Sequence, residues 1–299
     1  MKKLLVAAVL AACSLRLAGQ SYSSGQPVWP AFEGWEKNDD GSLSLLFGYM
    51  NDNWQQEFDV PIGPDNAIEP GGPDRGQPTH FQPRRNRFMF RVRVPGDWGD
   101  KEMIWTLSTQ GVPRKAYASL RTDLLIENID IMSETGALGA GTSSPELRAD
   151  KPPVIVIAGS KALTARAGEP LTLTASVTDD GIPRRRGGGP PGAGIPPAIA
   201  LRPPARVTVG KINGLHLSWF VYRGQGAVVF NPRQVKTWED TRTGANSPWA
   251  PLWQPPAVPA DGKYVVTATF AEPGTYVLRA RADDGALTSD EDVTVTVTR

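Results

Sequence analysis

Residues 272–297 read EPGTYVLRARADDGALTSDEDVTVTV. A Pro-Gly turn opens the segment and an alternating run follows, with Tyr276 and Leu278 on one side. A cluster of acids comes next, and a second alternating run places Val293, Val295 and Val297 on one face. Period two is the pattern of a half-buried strand. The acids between the runs are the polar, turn-forming residues expected at a hairpin tip. The reading is therefore a β-hairpin whose turn is ADDGALTSDED.

The same period recurs upstream. VIVIAG (154–159) and YVVTATF (264–270) are strand-like. In EPLTLTASVTDDG (169–181), Leu171, Leu173, Ala175 and Val177 alternate with threonines and serine. LHLSWFVYRGQGAVVF (215–230) reads as a hairpin turning at RGQG. Two segments do not fit a minimal sandwich. Residues 182–205 are low in complexity and rich in Pro and Gly, and 233–262 hold a polar, tryptophan-bearing insertion.

The first half is also strand-like. LSLLFGYM (43–50), NRFMFRVRV (86–94), MIWTLSTQ (103–110) and RKAYASL (114–120) suggest an antiparallel meander over residues 27–132. In NRFMFRVRV the alternation assigns Phe88, Phe90, Val92 and Val94 to one face and Met89, Arg91 and Arg93 to the other. Residues 51–87 form a long polar region with at most one short strand. TDLLIENIDIMSE (122–134) is a last strand or a short helix. GALGAGTSSPELRADKPP lies within a linker over 133–153. Apolar residues nowhere follow a strong 3.6-residue period. The expected class is all-β: two immunoglobulin-like β-sandwich domains in tandem, residues 27–132 and 154–299, with long loop insertions.

The second half resembles the PKD/REJ-like branch of the immunoglobulin-like sandwiches. LSWFVYRGQGAVVF, VTATFAEPGTYVLRARADDG and DVTVTV carry the likeness, which covers residues 154–299 apart from the two insertions. The resemblance implies a fold and says little of function. Two residues support it on physical grounds. Trp219 would fill the space between two sheets. Tyr276 stands where a tyrosine corner bonds back to upstream backbone. No disulfide would join the sheets, so Leu173 or Ala175 would pack against Leu278.

The chain has 299 residues, 32 Lys and Arg against 31 Asp and Glu, and a single cysteine. A net charge of +1 gives no electrostatic footprint for nucleic acid. The N-terminus, MKKLLVAAVLAACSLRLAGQ, places Lys2 and Lys3 before a short apolar run. It has the form of a secretory signal over residues 1–19. LAAC resembles the bacterial lipobox, in which Cys13 would be lipidated. The alternative is an ordinary signal cut near Gly19. The expected location is exported: periplasmic, anchored at the outer membrane, or extracellular, with no transmembrane span.

Candidate chemistry is sparse. The histidines are His80 and His216. His216 alternates with leucines and reads as an outward strand residue. His80, with Asp74 and Arg84, is the one place a hydrolase could be built. No nucleophile elbow, zinc motif or phosphate loop accompanies it. Among possible metals, calcium suits Asp179-Asp180-Gly181 and Asp283-Asp284-Gly285, two matched turns that would share one end of the sandwich. The same residues also serve as plain turn formers. Tryptophans 29, 35, 54, 98, 238, 249 and 253 lie in contexts that read as loops. Loop tryptophans stack on sugars or anchor protein partners. The expected binding residues are Trp54, His80, Trp238, Trp249 and Trp253, and the expected role is non-catalytic binding, adhesion or scaffolding toward a protein or polysaccharide of the cell envelope. A hydrolase around His80 and a purely structural spacer are the alternatives.

Overall fold

The computed structural model describes residues 22–134, 144–184, 214–238 and 255–299. In the first half the strands are β1 (Val28–Lys37), β2 (Leu43–Asn51), β3 (Phe58–Asp59), β4 (Asn66–Glu69), β5 (His80–Phe81), β6 (Arg84–Val94), β7 (Met103–Thr109) and β8 (Val112–Ala118). Strands β1-β2-β6 form one sheet and β4-β7-β8 a second, while β3 and β5 pair on their own. The two larger sheets enclose an aromatic core. Phe90 meets Trp105 edge-on at 5.1 Å and stacks on Phe47 at 5.2 Å. Strands β7 and β8 join through Gln110 and Gly111, both at positive φ (55° and 74°), the geometry of a tight I′ hairpin turn.

Three sequence expectations change here. First, Trp29 and Trp35 lie in β1, not in a loop. Pro30 and a bulge between Phe32 and Gly34 had hidden the strand. Second, the alternation of β6 reverses at a bulge where Phe88 has φ 50°. Phe88 therefore faces Leu46 and Leu287, whereas Met89 enters the Phe47–Trp105 core. Third, residues 51–87 hold several short strand pieces secured by buried amides. Asn66 donates to the carbonyls of Val60 and Pro78 and accepts from the Trp105 indole at 3.0 Å. Segment 122–134 resolves as a 3₁₀ turn and helix α1 (Asn128–Glu134). Helix α2 (Pro145–Arg148) follows, with the Ser144 hydroxyl accepting from the Leu147 amide.

The second half has strands β9 (Val154–Ile157), β10 (Ala162–Arg166), β11 (Pro170–Thr178), β12 (His216–Arg223), β13 (Val228–Asn231), β14 (Lys263–Phe270), β15 (Gly274–Asp283) and β16 (Thr288–Thr298). Their order is β9-β11-β14-β13 in one sheet and β10-β16-β15-β12 in the other. This is the strand order of an immunoglobulin-like sandwich; it does not single out the PKD/REJ branch. Leu173, Ala175, Trp219 and Leu278 share its core. The Tyr276 hydroxyl donates to the Glu272 carbonyl at 2.9 Å, closing the tyrosine corner.

Strands β12 and β13 are not the expected hairpin, for they belong to different sheets. The chain crosses at Gly224 (φ 135°), where a Cβ would stand 2.5 Å from the Tyr276 ring. Strands β15 and β16 do form the expected hairpin, but its turn is shorter than ADDGALTSDED. Asp290 and Asp292 are strand residues directly opposite Arg281 and Arg279.

Those two cross-strand pairs join the halves. Arg279 holds both oxygens of Asp292 (2.7 and 2.8 Å), and Arg281 holds both of Asp290 (2.7 Å each). Arg279 also donates to the Met89 carbonyl at 2.5 Å and lies over the Tyr222 ring. Strand β12 is buried on both faces. Leu217, Trp219 and Val221 enter the second core, while Phe220 and Tyr222 enter the first. His216, expected to face outward into solvent, is 7% exposed for the same reason.

Candidate binding surface

The polar region 51–87 divides its residues between two tasks. Its second part docks on β12. Asp74 is held by Arg223 through two hydrogen bonds, the Gly76 carbonyl accepts from the Tyr222 hydroxyl, and the Gln77 carbonyl accepts from Arg223. Thr79 accepts from the Gly224 amide. These residues form the join between the halves.

His80 begins β5. Its ring lies 2.7 Å from Asp59 and 3.3 Å from Glu57 and is largely shielded from water. Burial alone would lower its pKa, but the hydrogen bonds the ring donates to Asp59 and Glu57 outweigh burial and raise it to about 9. At neutral pH the ring is therefore a cation with no lone pair to take a proton. Arg84 turns elsewhere, to the Asp52 carbonyl and over the Trp54 ring. His80, Asp74 and Arg84 thus face separate partners.

Trp54 and Arg84 belong to a continuous surface. The Arg84 guanidinium lies 4.2 Å from the centre of the Trp54 ring. Arg84 also donates to the backbone of Asp52, whose carboxylate accepts from the Trp29 indole at 2.8 Å. Arg114 covers Trp29 at 4.5 Å, and Trp29 remains 45% exposed. Tyr22 is exposed, and its carbonyl accepts from the Trp54 amide. Each indole is covered on one face by a guanidinium; Trp29 is exposed and Trp54 half-buried. Trp238, with Lys236 at 4.5 Å from its ring, follows Thr237, whose hydroxyl bonds Gln82 at 2.6 Å. Segment 80–84 thus touches both the Trp54 ring, through Arg84, and the residue before Trp238, through Gln82.

The other expected residues divide as follows. Trp249, Trp253 and Cys13 lie outside the described residues. Trp35 is buried, with its indole donating to the Arg121 carbonyl. Trp98 closes a local turn, donating to the Lys101 carbonyl. Trp29 was misplaced by sequence reasoning, because its role depends on Asp52 and Arg114, which the fold brings to it. The two Asp-Asp-Gly turns stand as Asp-capped turns, with Asp179 accepting from Gly181 and Asp283 from Gly285. Among the described residues no three His, Cys, Asp or Glu side chains form a ready-made metal cage, and no helix is long and apolar enough to cross a membrane.

Fold and surface together define an all-β chain, with an immunoglobulin-like sandwich fused to a second two-sheet unit and an aromatic–arginine surface on the latter. No family model matches the chain, and no curated protein matches it. Among solved structures, the D00-D0 domain of intimin is 11% identical, covering 90% of this chain and 100% of that one, with a TM-score of 0.23. Domains 4 and 5 of the S-layer protein SbsC are 11% identical over 94% of this chain and 92% of theirs, with a TM-score of 0.21. An endo-fucoidan hydrolase of glycoside hydrolase family 107 is 11% identical over 93% of this chain and 30% of its own, with a TM-score of 0.23. Likenesses at this level carry no argument about activity.

Proposed function

We propose that the chain is an exported, non-catalytic binding protein that engages a protein or polysaccharide of the cell envelope through its Trp29–Trp54 surface. The observation that carries this reading is the linked series Arg114–Trp29–Asp52–Arg84–Trp54. It presents pre-positioned indoles and guanidinium groups at the surface. Tryptophan and arginine are the residue types that supply most of the energy at protein interfaces. Indole faces also stack on sugar rings. Export rests on the form of residues 1–19, and lipidation of Cys13 would add an anchor.

The rival hydrolase reading draws no support from the geometry, since its three residues face separate partners. The test is binding of the chain to a panel of purified envelope polysaccharides and surface proteins, repeated with Trp29→Ala and Trp54→Ala. A true anchor loses about 30-fold in affinity, equivalent to about 2 kcal/mol. Unchanged binding in both variants removes this surface from the function.

A further inference from the structure

Strand β6 carries arginines at 84, 85, 87, 91 and 93. All but the first meet a carboxylate: Arg85 pairs with Glu33, Arg87 with Glu134, Arg91 with Glu36 and Arg93 with Asp40. Arg84 instead donates through Nη1 to the Asp52 carbonyl and lies over Trp54. Arg114, over Trp29, is alike, with its Nη1 donating to the Val112 carbonyl. Among the described residues neither Arg84 nor Arg114 forms an ion pair. Two guanidinium charges thus stand beside two indoles without a carboxylate gripping either.

The backbone also marks Arg84 out. It holds φ 59°, in the left-handed region where a side chain other than Gly or Asn is uncommon. The fold accepts that strain to present this side chain, and such strain gathers where a protein binds or reacts. Arg279 and Arg281 show what the outer edge of a guanidinium does when an acid is in reach. The Nε and Nη2 of each hold both oxygens of one aspartate. The same edge of Arg84 has no partner among the described residues.

With the Trp29–Trp54 surface taken as the binding site, as proposed, we infer that its ligand is an acidic polysaccharide, held by the carboxylates of its uronic acid sugars. Trp29, 45% exposed, offers its ring to the C–H face of a pyranose. Arg84 and Arg114 take the carboxylates, since a guanidinium edge matches two carboxylate oxygens. Asp52 offsets only one of the two positive charges, and its Oδ2 is already occupied by the Trp29 indole. A protein partner fits less well. Asp52 and Arg84 stand between the two rings in the series, so the indoles form no contiguous apolar centre of the kind protein interfaces bury.

Calorimetric titration of the full chain with galacturonate oligomers tests this against the same oligomers methyl-esterified, which keep the sugar ring and lose the charge. The free acid should bind about tenfold more tightly than the ester. That difference should shrink as salt rises from about 50 to about 500 mM. Alginate and hyaluronate oligomers serve as further uronates. Arg84→Gln should weaken uronate binding about tenfold while the melting temperature moves little. Arg84→Lys, which lacks the fork, should not restore it. Should Arg84→Gln fail to fold, Arg114→Gln reads the same loss. Equal affinity for acid and ester overturns the inference, and so does undiminished uronate binding in both arginine variants. If Trp29→Ala still abolishes binding in those cases, the surface stands as a site for a neutral sugar. Absence of binding to all three uronates, tighter binding to dextran sulfate, or a panel in which only a protein binds through Trp29 overturns it as well.

Discussion

Arg223 holds the carboxylate of Asp74 through two hydrogen bonds, 2.8 and 3.0 Å, across 149 positions of the chain. Asp74 was a candidate catalytic acid in the sequence; in the fold it clasps its loop to the end of β12. The Arg223 hydrogen bonds hold its pKa below the ordinary carboxylate value. Its contribution is therefore present above that value and lost as pH falls. The pair is half-exposed, so Arg223→Ala should cost only about 1 kcal/mol in urea unfolding. The same variant should speed proteolytic cleavage within residues 70–79, which lose their grip on β12.

The pair of buried Arg281 and partly buried Asp290 behaves differently. Burial works against the Asp290 charge, yet Arg281 and Arg279 hold its pKa below the usual range. Arg281→Met leaves that carboxylate with only the longer 3.5 Å contact to Arg279 and should cost about 3 kcal/mol. The double variant Arg281→Met, Asp290→Leu should recover most of the loss, because both desolvation penalties disappear together. A double-mutant cycle in urea reads the coupling directly. Additive losses would show that the ladder contributes nothing as a pair.

His80 makes stability depend on alkaline pH. Its folded pKa, about 9, lies above its ordinary value of 6.5. The imidazolium between Glu57 and Asp59 thus stabilises the fold fully below pH 6.5, and this is lost as pH rises through 9. The expected loss between pH 6 and pH 9.5 is on the order of 2 kcal/mol. His80→Gln should flatten that dependence in urea titrations at the two pH values. An NMR titration of the ring with a midpoint near 6.5 would contradict the prediction.

Tyr276 and Gly224 test the sandwich itself. Tyr276→Phe removes the hydroxyl bond to the Glu272 carbonyl and should cost about 1 kcal/mol. Gly224→Ala drives a methyl into the Tyr276 ring at a positive φ and should cost about 2–3 kcal/mol. Thermal melting of both variants checks the order.

Much of the second half was legible because most of its strands, β12 excepted, keep one face on a core. Leu171, Leu173, Ala175 and Val177 alternate, and so do Val293, Val295 and Val297, and no helix carries such a period. The failures have local causes. Pro30 and Gly34 broke the pattern of β1, and a bulge at Phe88 reversed that of β6. The strand pairing of β12 was misjudged because RGQG reads equally as a hairpin turn and as a crossing between sheets. A turn residue announces a change of direction, not the partner that follows.

The amino-acid sequence alone settled the all-β class, the β15–β16 hairpin and the tyrosine corner, since these depend on periods and turns within a few residues. Tertiary structure decided what the polar residues do. It joined Asp290 and Asp292 to arginines on the neighbouring strand, took Asp74 into the clasp with Arg223, enclosed His80 between two carboxylates, and linked Trp29 to Trp54 through Asp52 and Arg84. Charge and hydrogen-bond partners are chosen by proximity in space, and neighbours brought together from distant positions leave no period in the chain.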